Sequence, residues 1–198
     1  MKVLICGDSF TSDWQIKYPN QTGWVNMLAK KYKVTNLAQS AVGEYKILKQ
    51  IQSADLNQFD SVIVSHTSPN RIYCTKHPIH YRDPLYKSAD LIYTDMLDHS
   101  ANTDCQLALG FFERYFDLDQ AEEINNLICM EILNILGQYD HLNQLHLVNY
   151  ITKNHYPNLP CYDLYPLFKK YRGNMNHFDE KGNRIMFDYV DTWLQENK

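Results

Sequence analysis

The sequence predicts an α/β fold, a three-layer α/β/α sandwich around a parallel sheet of about five strands. Three observations carry this expectation. Short apolar runs alternate with helical apolar stripes from the start of the chain to His66. A long interval, residues 72–140, separates the third strand from the fourth and reads as a helical insertion. The chain closes on a strongly amphipathic helix.

Residues 2–6 (Lys-Val-Leu-Ile-Cys) form a short apolar run stopped by Gly7-Asp8-Ser9, which reads as a buried strand running into a loop. Residues 22–32 place Trp24, Val25, Met27, Leu28 and Tyr32 at helical spacing. Residues 33–37 give a second strand, and residues 44–54 a helix with Ile47, Leu48 and Ile51 on one stripe. Residues 60–66 (Asp-Ser-Val-Ile-Val-Ser-His) are apolar enough to lie centrally in a parallel sheet. Within the insertion, residues 121–136 repeat Ile124, Leu127, Ile128, Ile132, Ile135 and Leu136, ending at Gly137 as a C′ residue. Phe111, Phe112, Tyr115 and Phe116 form an aromatic patch, either core packing, a pocket wall or a homodimer surface. Residues 144–150 and 161–163 are the fourth and fifth strands, and residues 179–195 the last helix, with Asp179 as its N-cap. Strand–helix–strand order implies right-handed crossovers, and the whole chain, 1–198, reads as one domain.

Composition narrows the function. Apolar residues make up 44% and charged residues 21%, with a formal net charge of −4. That is a globular balance with no basic field to favour nucleic acid or an anionic membrane. No apolar run approaches the length of a bilayer span or a signal segment. Five widely spaced cysteines without a Cys-x-x-Cys pair suggest a reducing, cytoplasmic setting. His77-Pro78-Ile79-His80 has i, i+3 spacing, but proline interrupts any helix that would align the rings, so no metal is expected. No glycine-rich phosphate loop is present, and no cofactor is expected.

In an open parallel sheet ligands bind beyond the carboxyl ends of the strands. There the chain places Gly7, Asp8, Ser9 and Phe10, then Asn36, Ala38, Ser40 and Gly43, then His66, Thr67, Ser68, Asn70 and Arg71. Asn174, Asn176 and His177 precede the last helix. A hydroxyl, a glycine turn, polar side chains and an imidazole on one edge are the parts of acyl transfer: nucleophile, oxyanion donors and base.

Gly7-Asp8-Ser9-Phe10 after the first strand resembles the first block of the SGNH/GDSL hydrolase family, whose fold is flavodoxin-like. Residues 36–43 (Asn-Leu-Ala-Gln-Ser-Ala-Val-Gly) resemble its second block, and residues 174–178 (Asn-Met-Asn-His-Phe) its last, normally Asp-x-x-His. The resemblance implies Ser9 as nucleophile and His177 as base, with the Ser9 N–H and a glycine N–H, nearest at Gly43, as oxyanion donors. Ala41 stands where many members place that glycine. After the third strand the family has Gly-x-Asn-Asp; here Thr67 stands at the asparagine position and Asn70 three residues later, so either is a hydrogen-bond donor by analogy. Arg71 is a candidate for an anionic substrate group or a structural ion pair. The triad carboxylate position holds Asn174. Its amide oxygen, a backbone carbonyl or Asp179 could orient His177, or the chain could be a slow or inactive homologue. The expected activity is hydrolysis of a small-molecule or carbohydrate ester through an acyl-serine. The alternatives are a non-catalytic binding protein for a carbohydrate or acylated ligand, or different chemistry on the same edge.

Overall fold

A computed structural model describes residues 1–148 and 161–198. The elements run β1 (Lys2–Gly7), α1 (Trp24–Ala29), β2 (Lys33–Asn36), α2 (Glu44–Gln52), β3 (Ser61–Ser65), β4 (Arg71–Ile72), β5 (Leu91–Ile92), α3 (Tyr93–Asp98), α4 (Thr103–Arg114), α5 (Leu118–Leu136), β6 (Asn143–Val148), β7 (Cys161–Asp163), α6 (Tyr165–Lys170), β8 (Arg172–Met175) and α7 (Glu180–Glu196). Five strands form one parallel sheet in the order β2-β1-β3-β6-β7.

Side chains on a strand alternate between faces, and that alternation builds two cores. Val3 and Ile5 of β1, Ile63 of β3, and Leu145 and Leu147 of β6 face one layer with Trp24, Leu28, Met186, Val190 and Leu194, from α1 and α7. Leu4, Cys6, Val62 and Val64 face the other layer with Ile47, Ile51, Ile132 and Leu136, from α2 and α5. With both faces covered, β3 is buried along its whole length, which explains its unbroken apolar run.

The insertion departs from the expectation in two ways. Its last helix, α5, packs its C-terminal half on the sheet beside α2, so it is the ordinary crossover helix between β3 and β6. The true elaboration lies before it and is not purely helical. β4 and β5 form a two-stranded antiparallel pair, and α3 and α4 enclose a small core of Met96, Cys105, Leu109 and Phe112. The fourth strand ends at Val148; positions 149 and 150, expected to continue it, lie outside the described residues. Outside the insertion the short α6 and β8 escaped the sequence reading; in β8, Arg-Gly-Asn-Met carries neither alternation nor β-branched residues. No helix among the described residues is long and apolar enough to cross a membrane.

Candidate active site

β1 delivers its last residue into a turn that only glycine fits. Gly7 has φ +152°, and a Cβ there would lie 2.5 Å from Thr11 Oγ1 and 2.7 Å from Ser65 Cβ. The chain then folds tightly, with Thr11 N–H donating to the Asp8 carbonyl. The Asp8 carboxylate, fully buried, organises this turn. Oδ1 accepts from the Phe10 N–H at 3.0 Å and Ser65 Oγ at 3.3 Å. Oδ2 accepts from Thr67 Oγ1 at 3.0 Å and Arg71 Nη2 at 3.4 Å. Asp8 thus ties β1 to the loop after β3 and leaves Ser9 next to the cleft.

The imidazole arrives from the other end of the chain. Asn176 and His177 both adopt left-handed backbone, with φ +47° and +64°, in the turn between β8 and α7. Asparagine tolerates that region better than most residues. Gly173 N–H donates to the His177 carbonyl and Asp179 N–H to the Tyr171 carbonyl, which closes the turn. Asn176 locks the two turns together, because its Nδ2 donates to the Ser9 carbonyl at 3.1 Å and to the Ser12 carbonyl at 2.9 Å. Gly23 makes room for it, since a Cβ there would sit 2.0 Å from Asn176 Oδ1.

The result is a hydrogen bond of 2.7 Å between Ser9 Oγ and His177 Nε2. The Phe10 ring lies 4.4 Å from the imidazole centroid, and Phe168 meets it edge-on at 6.1 Å. Burial pulls the His177 pKa below its ordinary 6.5; Asp8 opposes that pull, while Arg71 and Arg172 add to it. The neutral form of the ring, the one a base requires, is therefore favoured. The sequence points to the helix N-terminus as the reason, whereas burial is the larger cause.

Several expected partners are elsewhere. The side chain of Asn174 is exposed on β8 and makes no hydrogen bond to His177. Among the described residues nothing accepts from His177 Nδ1. Asp179 is committed to capping α7, accepting from Gly182 N–H at 2.7 Å. Among the described residues the serine–histidine pair has no carboxylate behind it.

The expected oxyanion donors also change. Gly43 caps α2 and gives its N–H to Asp90 Oδ2 at 2.6 Å, so that donor is occupied. Thr67 is fully buried and directs its hydroxyl to Asp8 and its N–H to Glu44 Oε2. Asn70 is exposed and accepts from Ser68 Oγ, away from the cleft. Ala41 takes the place meant for Gly43. It has φ +62°, lines the cleft beside Ser9, and neither its N–H nor that of Ser9 is bound by a described acceptor. Its signal was in the sequence, at the position where the family carries glycine.

The cleft above the dyad has a volume of about 270 Å³. Ser9, Phe10, Ala41, Phe168 and His177 form the inner part, and Arg71 stands in its wall. Arg71 also donates to the Val42 carbonyl at 2.5 Å, so it is braced on both sides. Tyr86, Ile92 and Asp95 close the outer side. These three come from the insertion, and no local pattern in the sequence marks them.

Neither a family model nor a curated protein sequence matches the chain. Among solved structures it is similar to a protein from Desulfitobacterium hafniense DCB-2 described as lipolytic and of the G-D-S-L family, with a TM-score of 0.51 at 12% identity. The match covers 96% of this chain and 97% of that one. The chain therefore shares the α/β fold of that structure.

Proposed function

We propose that the protein hydrolyses a carboxylic ester through an acyl-Ser9 intermediate, with His177 as the base of a two-residue dyad. The observation that carries this reading is the 2.7 Å contact between Ser9 Oγ and His177 Nε2 on the wall of a cleft. Ser9 Oγ attacks the ester carbonyl as Nε2 takes its proton. The oxyanion faces the Ser9 and Ala41 N–H groups, and His177 returns the proton to the leaving alkoxide. Water, deprotonated by the same imidazole, then releases the acid. A small cleft lined by Phe10, Ile92 and Phe168 suits a short acyl or O-acetyl group carried by a small molecule or carbohydrate. Five widely spaced cysteines without a Cys-x-x-Cys pair agree with a reducing, cytoplasmic setting.

With no carboxylate on Nδ1 among the described residues, turnover is expected to be slow; in a serine protease the loss of that charge costs about four decades. The same observation favours a second reading, a binding protein on this scaffold with impaired catalysis. A fluorophosphonate probe separates nucleophile from bystander: wild type labels and Ser9→Ala does not. Equal labelling of both would reject the nucleophile. Turnover of p-nitrophenyl acetate that disappears in both Ser9→Ala and His177→Ala would reject the binding-only alternative.

A further inference from the structure

Behind the catalytic edge lies a second group of titratable side chains that the dyad does not use. Glu44 opens α2, His66 follows β3, and Cys129 lies in α5; all three are buried. Their donor atoms lie within 4.8 Å of one another. His66 Nδ1 is 2.6 Å from Glu44 Oε1 and 3.8 Å from Cys129 Sγ. We propose that Glu44, His66 and Cys129 form a binding site for a divalent cation of borderline softness, of which Zn²⁺ is the type.

The donor set is the first argument. One carboxylate, one imidazole and one thiolate match the ligand preferences of Zn²⁺ and discriminate against Mg²⁺ and Ca²⁺, which take oxygen. Charge is the second. The carboxylate and thiolate together balance a divalent ion, so the buried assembly is neutral, whereas isolated buried charges are costly. Distance is the third. Tetrahedral bonds of ordinary length would set N and S about 3.5 Å apart, close to the 3.8 Å observed. The 2.6 Å contact is a hydrogen bond, and it would open to about 3.3 Å as the ion replaces the shared proton. Binding thus releases that proton and the one on the Cys129 thiol.

The surroundings hold each ligand in place, as metal sites require. Glu44 Oε2 accepts the Thr67 N–H at 3.0 Å, and Asn125 Nδ2 donates to Cys129 Sγ at 3.8 Å. His66 Nε2 lies 2.9 Å from His146 Nδ1, so a proton on Nε2 has an acceptor and Nδ1 keeps its lone pair for the ion. The comparison with the other histidine cluster is instructive. His77, His80 and Asp95 also converge, but His77 Nδ1 accepts the N–H groups of Ile79 and His80 at 3.3 and 3.2 Å. That places the proton of His77 on Nε2, the atom facing Asp95, and removes its lone pair. Glu44 and Asn125 line a second cavity of about 310 Å³, from which a water could supply the fourth ligand.

The test is spectroscopic and does not depend on esterase activity. Chelator-stripped, reduced protein is titrated with Co²⁺. Wild type is expected to develop a thiolate-to-cobalt charge-transfer band that saturates at one equivalent and is erased by Zn²⁺. Cys129→Ser should lose the band and bind at least about tenfold more weakly, with Glu44→Gln weakened to a similar degree. Cys105→Ser, whose thiol sits in the separate core around Met96, and His80→Gln should keep the band. No band in wild type, or a band that survives Cys129→Ser, overturns the proposal. X-ray absorption on Zn²⁺-loaded wild type gives an answer independent of any variant: one sulfur with nitrogen and oxygen scatterers supports the site, and a shell without sulfur refutes it.

Discussion

Asn176→Ala would test how the two halves of the candidate site are held together. Asn176 is fully buried and adopts φ +47°, and its Nδ2 bridges the Ser9 and Ser12 carbonyls at 3.1 and 2.9 Å. Losing two neutral hydrogen bonds costs about 2 kcal/mol, at about 1 kcal/mol each. The Ser9 carbonyl still accepts from Ser12 Oγ and Trp14 Nε1, so the Ser12 carbonyl bears most of the loss. Alanine in left-handed backbone adds about 1 kcal/mol. Against this, Asn176 Oδ1 is itself buried without a partner, and its removal returns about 1 kcal/mol. The net expectation is a destabilisation of about 2 kcal/mol. Urea denaturation would read it as a lower midpoint at unchanged slope. Asn176→Gly separates the terms, because glycine removes the bridge but not the backbone preference; it should be the more stable of the two variants. A shift of 1 Å between Ser9 and His177 would in addition lower kcat by about 10²-fold. If Asn176→Ala moved stability by less than about 0.5 kcal/mol and left kcat unchanged, the bridge would not be what couples the two turns.

Other consequences can be checked independently. His177 is held below 6.5, so the acid limb of kcat/KM for a short acyl ester should be centred below 6.5; an acid limb centred above 6.5 would contradict the burial argument. His77 is pushed by burial and by His80 to about 4, so as pH falls from 6.5 toward 4 the unfolded chain takes up the proton first and stability is progressively lost, measurable as a falling Tm. Gly7→Ala should cost about 1–3 kcal/mol through φ +152° alone, before the contacts with Thr11 and Ser65 are counted, and is read by the same urea titration. Asn174→Ala should leave kcat/KM within about twofold, as for a surface substitution, because the side chain does not touch the imidazole; a large loss would restore it to the machinery.

The parts of the fold that were legible are those where one local pattern settles the outcome. The unbroken runs in β1 and β3 record burial on both faces and the stripe on α7 records burial on one, and each pattern is local. Ser9 and His177 were legible because strand ends and helix starts place them on the same edge. The oxyanion assignment failed for a long-range reason. Asp90, 47 residues from Gly43, occupies that N–H, and nothing near Gly43 announces it. Thr67 was misjudged similarly, because Asp8 and Glu44 claim its hydroxyl and its N–H. Asn176 was noted only as a polar neighbour of the histidine, since a bridge spanning 167 residues leaves no local trace.

The two reacting groups stand 168 positions apart in the chain, and β8 and α7 follow all the other described elements. During translation the hydroxyl is therefore exposed on the ribosome long before its proton acceptor exists. A product cleaved just before β8 keeps all five strands of the sheet but loses the base together with α7, which covers one core. Proteolysis there would remove the base and uncover that core at once, so an intact α7 is a quality check on any preparation whose turnover is to be measured.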